Sequence, residues 1–220
     1  MEPGAKLAIV GKTGSGKTSI ADLLVRMYDV TDGTILIDGK PIQQHDVHNL
    51  RKQIGYVTQD IFLFSDTISN NISFGANEVT QKEVEQFAKY AAVHDDIKDL
   101  TYGFETMVGE RGVTLSGGQK QRVSIARALI KKPNIIILDD CLSAVDTNTE
   151  AQILGYFNKS LQDKTTIIIT HRIYSRIQFD KIIVLEEGQI VEEGTHEELL
   201  KNRGFYYDLY EKQRVEGEVI

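Results

Sequence analysis

The sequence predicts an α/β fold built on a parallel sheet, with a small antiparallel β part and an inserted helical subdomain. Three apolar runs, Leu7–Val10, Ile135–Leu138 and Thr166–Ile169, are short, mostly β-branched and bounded by turn or polar residues. Such runs are typical of strands buried on both faces of a parallel sheet. Helical patterns separate these runs along the chain, and strands that alternate with helices favour an α/β architecture.

Further elements extend this prediction. The apolar run Ile182–Leu185 adds a fourth strand, and Gly188 predicts a turn into Gln189–Val191 and hence a hairpin near the sheet edge. Capping residues mark helix starts, such as the Thr80 and Glu83 pair of a capping box. The predicted helices are Lys17–Met27, Thr80–Ala92, Ser116–Ile130, Thr147–Leu161 and Thr195–Lys201.

The length of 220 residues fits one domain. Residues 67–131 carry helical patterns and no convincing strand, and they interrupt the series of predicted sheet strands. We therefore expect a helical subdomain at 67–131, inserted into a core formed by residues 1–66 and 132–220.

Composition limits the classes of function. The formal net charge of −7 argues against a general nucleic-acid binder, so no nucleic-acid partner is expected. Cys141 is the only cysteine, which fits a reducing compartment. No run of 18 apolar residues is present, so none of these residues is expected to span a membrane.

The segment Gly11–Thr18 matches the phosphate-binding P-loop pattern and stands between an apolar strand and a helix. Its glycines allow the backbone N–H groups to point inward, and the helix N-terminus adds to this anion site. Lys17 is expected to reach the β- and γ-phosphates of ATP, and the Thr18 hydroxyl to bind Mg²⁺. The residues expected to contact the nucleotide here are Gly11, Thr13, Gly14, Ser15, Gly16, Lys17, Thr18 and Ser19.

The other half of a magnesium site is expected at the end of an apolar strand. Asp139 follows Ile135–Leu138 directly. A carboxylate at that point can hold Mg²⁺ opposite Thr18. The sequence therefore predicts a P-loop NTPase core that binds Mg-ATP.

The pentapeptide Leu115–Gln119, Leu-Ser-Gly-Gly-Gln, resembles the signature of ATP-binding cassette proteins. Ser116 is a good helix cap, and the two glycines leave backbone N–H groups open to a phosphate. The resemblance implies that this loop closes over the γ-phosphate held by a second nucleotide-binding domain, in a homodimer or a heterodimer. The nucleotide contacts that it implies are Ser116, Gly117, Gly118 and Gln119.

Three more positions match that family. Gln59 resembles the glutamine that touches Mg²⁺ and relays closure between core and helical subdomain. Ser143–Asp146 resembles the loop that crosses the dimer interface, which makes Asp146 a candidate nucleotide contact. His171 resembles the switch histidine that contacts the γ-phosphate. With these assignments, the expected catalytic residues are Lys17, Gln59, Asp140 and His171.

Two further segments resemble exporters within the family. Val108–Gly112 is similar to the segment that touches the coupling helices of an exporter's membrane domain, and Gly194–Leu200 is similar to the C-terminal segment of exporter half-transporters. The resemblance implies ATP hydrolysis coupled to export. The implied partner is a transmembrane domain, with this chain at the cytoplasmic face of the cell membrane.

The sequence departs from the family pattern at two places. No aromatic residue precedes Lys17, where the family has an adenine-stacking side chain about 25 residues upstream. We therefore expect that Met1 begins an N-terminally truncated segment. The second departure is Asp140, because the family has glutamate after the magnesium aspartate, where it polarises the attacking water.

Two alternatives remain open at this stage. One is a soluble cassette ATPase that acts on ribosomes or DNA, although those proteins carry two cassettes or long coiled coils that this chain lacks. The other is a degenerate ATP-binding subunit of a heterodimeric exporter with little hydrolysis of its own, for which Asp140 is the reason. The cargo is not determined by these residues.

Overall fold

The computed structural model describes residues 1–109, 114–161, 163–174 and 177–216. Six strands form one sheet in the order β4-β5-β6-β1-β7-β8, and two short strands form a separate ribbon. The strands are β1 Lys6–Val10, β2 Leu36–Ile37, β3 Lys40–Pro41, β4 Ile54–Val57, β5 Ile135–Asp139, β6 Thr165–Thr170, β7 Lys181–Glu186 and β8 Gln189–Gly194.

Parallel pairing dominates the sheet. Strand β1 pairs in parallel with β6 and β7, and β5 pairs in parallel with β6. Strand β8 returns antiparallel to β7, and the ribbon of β2 and β3 is also antiparallel. The predicted α/β fold class is confirmed. The four predicted strands are all present, each longer by one or two residues, and the hairpin predicted at Gly188 is formed by β7 and β8. The small antiparallel β part was predicted without residue bounds, and β4 had no sequence prediction.

The helices follow the capping signals in the sequence. Thr80, Ser116 and Thr195 each cap a helix with a complete capping box. The first helix ends at Leu24, earlier than predicted, and Arg26 just beyond it has a positive φ of 55°. The α-helices are α1 Lys17–Leu24, α2 Val47–Lys52, α3 Ile68–Ser73, α4 Gln81–Tyr90, α5 His94–Lys98, α6 Gly117–Ile130, α7 Thr147–Ser160, α8 His196–Asn202 and α9 Phe205–Glu216.

The chain forms two compact units. The core unit comprises Met1–Tyr56, Asn134–Asp140 and Asp163–Ile220, and the helical unit comprises Val57–Pro133 and Cys141–Gln162. The segment 67–131 lies inside the helical unit, which begins earlier and also includes α7. A stacked pair of rings, Tyr90 on Tyr156 with centroids 3.9 Å apart, attaches α7 to this unit. None of the described helices is long and apolar enough to cross a membrane.

Two apolar clusters cover the sheet within the core unit. One includes Ile9 of β1, Ala21 of α1 and Ile137 of β5, all at most 1% exposed. The other joins Val184 of β7 to Tyr206 of α9. Burial of this apolar surface is the main force that holds α1, which follows the Gly11–Thr18 loop, and the C-terminal helix α9 in place.

A buried polar network organises the helical unit. Asn71 of α3 is 1% exposed, and its side-chain amide donates to the carbonyls of Phe64 and Thr67, both at 3.0 Å. Its Oδ1 accepts from the Phe64 N–H at 2.9 Å and from Arg127 Nη2 at 2.7 Å. Arg127 of α6 also donates to the Phe62 carbonyl. Asn71 therefore ties the 62–67 loop to both α3 and α6.

We predict that Asn71→Ala lowers the free energy of unfolding by about 2–4 kcal/mol, because it leaves the Phe64 N–H and an Arg127 guanidinium N–H without an acceptor and removes the amide bonds to two loop carbonyls. The measurement is urea unfolding followed by circular dichroism. Asn70→Ala is the matched control, since Asn70 is exposed and bonds to Asp66 on the surface. A loss for Asn71→Ala no larger than that for Asn70→Ala would contradict the prediction.

Candidate functional site

Three adjacent strands of the core unit end at one edge of the sheet. Asp139 of β5 is level with Ile169 of β6, which is level with Ile9 of β1. Since these strands are parallel, the residues that follow them meet at the same edge. The residues brought together there are the Gly11–Thr18 loop, Asp139, Asp140 and His171.

The Gly11–Thr18 loop has the backbone of a phosphate cradle. Gly14 and Gly16 have φ of 82° and 98°, in the left-handed region that favours glycine. A Cβ at Gly11 would lie 2.2 Å from the Leu185 carbonyl oxygen, so only glycine fits there. Among the described residues the buried Ser15 Oγ has no hydrogen-bond partner. Thr13 lies exposed in the loop, and Ser19 lies exposed in the first turn of α1.

The Lys17 ammonium lies over this loop. Its Nζ donates to the carbonyls of Gly11 and Lys12, each at 2.7 Å. Partial burial lowers the pKa of Lys17, while the negative charges of Asp140 and Asp139 oppose that shift. The ammonium is therefore curled back on its own loop and close to two carboxylates, where it can turn to a phosphate.

Asp139 and Thr18 supply oxygen ligands suited to a hard cation. Asp139 is 1% exposed, and its Oδ2 has no hydrogen-bond partner among the described residues. Burial raises the pKa of Asp139, while a hydrogen bond with Thr18 lowers it and the charge of Asp140 raises it further. A buried carboxylate beside a threonine hydroxyl fits the coordination that Mg²⁺ prefers.

Asp140 bonds to His171 across the ends of β5 and β6. His171 Nδ1 donates to Asp140 Oδ1 at 2.8 Å, and the Asp140 N–H donates to the Ile169 carbonyl at 2.9 Å. Asp140 has a positive φ of 46°, which is uncommon for a residue other than glycine. The hydrogen bond to Asp140 raises the pKa of His171, and partial burial opposes it.

The signature residues lie in the helical unit, at the start of α6. Ser116 Oγ accepts from the Gln119 N–H at 3.2 Å, and Gln119 Oε1 accepts from the Ser116 N–H at 3.0 Å. The N–H groups of Gly117 and Gly118 belong to the first turn, where no carbonyl of the helix precedes them. A Cβ at Gly118 would lie 2.7 Å from the Ala144 carbonyl oxygen, so the second glycine permits close approach of the 143–146 loop.

Asp146 caps α7 within the same unit. Its Oδ1 accepts from the N–H groups of Asn148 and Thr149, both at 3.1 Å. The preceding loop is held by Gln121, whose Nε2 donates to Ser143 Oγ at 3.3 Å and whose Oε1 accepts from the Ala144 N–H at 3.1 Å. The structure therefore gives Asp146 a capping role, and its contact with nucleotide stays a prediction.

The remaining predicted positions are distributed differently. Gln59 is exposed in the helical unit, just after β4. In the exporter-like segment Val108–Gly112, residues 110–112 lie outside the described residues, while Val108 is buried. In Gly194–Leu200, Thr195 caps α8 and bonds reciprocally with Glu198. The roles of these residues toward nucleotide, magnesium and membrane partner stay predictions.

Three residues of the structure had no sequence prediction as site residues. The Tyr56 hydroxyl donates to Asp22 at 3.4 Å, and burial followed by the charge of Asp139 raises its pKa. Gln121 holds the 143–146 loop, and Gln213 of α9 bonds to the backbone around His171. A polar residue within the buried series of α6 was a usable signal for Gln121. Gln213 had no signal, because it lies 42 residues from His171 in sequence.

Comparisons with known proteins agree with this geometry. The family model described as ABC transporter matches residues 1–143. The chain is 50% identical over 212 residues to a probable multidrug resistance ABC transporter ATP-binding/permease protein, YheI, of Bacillus subtilis, covering 96% of this chain and 36% of that protein. It is 45% identical over 216 residues to an ATP-dependent lipid A-core flippase of Syntrophus aciditrophicus, covering 98% of this chain and 36% of the flippase.

A solved structure shows the same fold. A bacterial Atm1-family ABC exporter with ATP bound superposes with a TM-score of 0.91 at 45% identity, covering 96% of this chain and 37% of the exporter chain. The chain thus spans little more than a third of the length of these relatives. It belongs to the ABC transporter family, as an ATPase domain homologous to those of lipid flippases and multidrug exporters.

Proposed function

We propose that this chain is the motor domain of an exporter. It binds Mg-ATP, pairs with a second nucleotide-binding domain around two ATP molecules, and drives a transmembrane partner from the cytoplasmic face of the membrane. The observation that carries the proposal is the convergence of the Gly11–Thr18 loop, Asp139 and His171 at one sheet edge. Relatives named as ATP-binding/permease proteins favour export over a soluble role on ribosomes or DNA.

The core unit would bind the phosphates and the metal. The loop N–H groups and the N-terminus of α1 stabilise phosphate oxygens, and Lys17 moves from its carbonyl partners to the β- and γ-phosphates. Thr18 and Asp139 would hold Mg²⁺, which when bound neutralises charge on the phosphates. Catalysis of this kind consists mainly of positioning and charge stabilisation.

The helical unit would act on the nucleotide of the partner. An anion site would form at the exposed Ser116 and the first-turn amides of Gly117 and Gly118. The helical unit contains no phosphate loop, because Gly11–Thr18 belongs to the core unit. Asp146 and Gln119 would contribute further contacts across the interface. This arrangement needs a second nucleotide-binding domain, because each phosphate loop would be completed by a signature from the other copy.

A second proposal concerns the rate of hydrolysis at this chain's own ATP site, which we propose to be slow. Asp140 occupies the position of the general base, and its Oδ1 is already bonded to His171. Aspartate is one methylene, about 1.5 Å, shorter than glutamate. A general base must lie about 2.6–3.2 Å from the water that it deprotonates. The chain would then bind ATP at a degenerate site, while its signature completes a fast site on a partner subunit that carries glutamate.

We predict that Lys17→Ala weakens Mg-ATP binding by about 30-fold or more, roughly 2 kcal/mol, because the charge that faces the β- and γ-phosphates is lost. Isothermal calorimetry measures the change. Lys12→Ala is the matched control, since Lys12 lies in the same loop but is exposed and pairs with Glu186. Equal affinities for the Lys17→Ala protein and wild type would overturn the nucleotide site.

A second prediction concerns Asp140. In the intact protein without a partner subunit, Asp140→Glu should raise the ATP turnover rate by about 10-fold or more, because the longer carboxylate reaches the attacking water. In the presence of a partner subunit that carries glutamate, Asp140→Asn should leave most of the ATPase activity. Rapid turnover by the wild-type protein alone, abolished by Asp140→Asn, would instead make Asp140 a competent base.

A third prediction concerns the protonation of His171. Its pKa should lie above the usual 6.5 in the nucleotide-free protein and fall in Asp140→Asn, because the carboxylate stabilises the imidazolium. Because the folded-state pKa is raised, the pair of protonated His171 with Asp140 stabilises the folded protein fully below about pH 6.5. That contribution to folding stability disappears as pH rises through the folded-state pKa of His171.

Carbon-proton NMR of labelled histidine measures both values, with His171→Gln to assign the resonance. His196 is the internal control, since burial lowers its pKa. A His171 pKa at or below that of His196 would contradict the assignment of the ion pair.

A further inference from the structure

The backbone after β6 is held by a side chain from the C-terminal helix. Gln213 of α9 is 4% exposed, and its Nε2 donates to the His171 carbonyl at 2.8 Å. Its Oε1 accepts from the Ile173 N–H at 2.9 Å. Between them, the Arg172 N–H donates to Thr170 Oγ1. One side-chain amide therefore supplies the hydrogen-bond partners of the two peptide groups that flank Arg172, as a neighbouring strand would do.

Apolar packing reinforces these two hydrogen bonds. Ile173 is 2% exposed and belongs to the cluster that contains Val184, Leu199 and Tyr206. Tyr206 is itself 1% exposed, so the first turn of α9 and Ile173, two residues after His171, share one apolar core. Displacement of the 171–173 backbone would break both the packing and the Gln213 contacts.

The other end of α9 is also fastened. The Glu192 carboxylate of β8 accepts from the N–H groups of Phe205 and Tyr206, the first residues of the helix. The Tyr206 hydroxyl hydrogen-bonds to His196 Nδ1 at 2.8 Å. With its N-terminus fixed in this way, α9 presents Gln213 as a rigid support and not as a mobile surface side chain.

The His171 side chain depends on this support. Its imidazole is half exposed. Among the described residues, its one ion pair is with Asp140. The location of the ring is therefore set chiefly by the backbone, which Gln213 and Ile173 hold. Gln213 bonds to backbone atoms and not to the Gly11–Thr18 loop or Asp139, so any effect on catalysis must pass through His171.

We propose that Gln213 is a positioning residue for ATP hydrolysis, which holds His171 in place and makes the C-terminal helix a working part of the ATPase site. The inference rests on the proposed function, in which His171 contacts the γ-phosphate. A shift on the scale of 1 Å can cost about 100-fold in rate, and release of the 171–173 backbone permits such a shift.

The test uses the intact protein with three substitutions. Gln213→Met keeps the length and packing of the side chain but removes both hydrogen bonds. Gln213→Glu keeps an acceptor for the Ile173 N–H and loses the donor to the His171 carbonyl. Lys212→Met is the matched control on the adjacent, exposed position of α9. Thermal melts establish that each variant is folded.

Two measurements are made on each variant. Hydrogen exchange without nucleotide should be about 10-fold faster at the Ile173 amide in Gln213→Met, intermediate in Gln213→Glu and unchanged in Lys212→Met. ATPase kinetics are measured in the faster of two parent proteins, the wild type or Asp140→Glu. Relative to that parent, Gln213→Met should lower kcat about 10-fold and leave KM within about two-fold. Gln213→Glu should have a kcat between those of Gln213→Met and the parent protein. If Gln213→Met does not fold, Gln213→Glu replaces it in the test, with smaller changes expected in the Ile173 exchange rate and in kcat.

The outcomes separate the two proposals. Faster exchange at Ile173 with kcat unchanged would make Gln213 a purely structural residue and overturn the inference. Unchanged exchange and unchanged kcat would overturn it as well. A parent protein that binds no ATP would overturn the proposed function and this inference together, and that result appears before any Gln213 variant is made.

Discussion

The parallel pairing of β5, β6 and β1 is the constraint on which the site depends. Parallel strands end at the same edge, so the residues after three strands that are distant in sequence become neighbours. Asp139, Asp140 and His171 face the Gly11–Thr18 loop for this reason. Burial of the apolar strand residues stabilises the sheet. This stabilisation offsets the desolvation of the carboxylates, the imidazole and the ammonium that meet at the sheet edge.

Electrostatics at this edge is balanced for a polyanionic ligand. Lys17 lies between its loop carbonyls and the two aspartates, and burial lowers its pKa while the carboxylates oppose that shift. Burial raises the pKa of Asp139, which keeps one carboxylate oxygen without a hydrogen bond among the described residues. Phosphates and a divalent cation would satisfy these groups together, which explains why a folded domain maintains such a site.

Supports outside the motifs decide how well the motif residues are placed. Gln121 holds the 143–146 loop of the helical unit through two hydrogen bonds, and Gln213 holds the backbone at His171 in the same way. In both cases one buried side-chain amide donates to one polar group and accepts from another, and both partners lie in loops outside the helices and strands. A buried amide satisfies two polar groups without a net charge, so it can fix a loop at little electrostatic cost.

Local chemistry determined much of this protein from the sequence alone. The β-branched runs predicted four strands, Thr80, Ser116 and Thr195 predicted their helix starts, and the Gly11–Thr18 loop needs glycines at positive φ or in close contact. The α/β fold class followed from these signals, and the family followed from the resemblance of Leu115–Gln119 to the cassette signature. Only the tertiary structure decided that α7 joins the helical unit and that Asp140 bonds to His171. It also placed the Gln213 amide against the backbone of His171. These contacts join residues far apart in sequence, where no periodicity or capping rule operates, and they exist only once the sheet has brought its strand ends together.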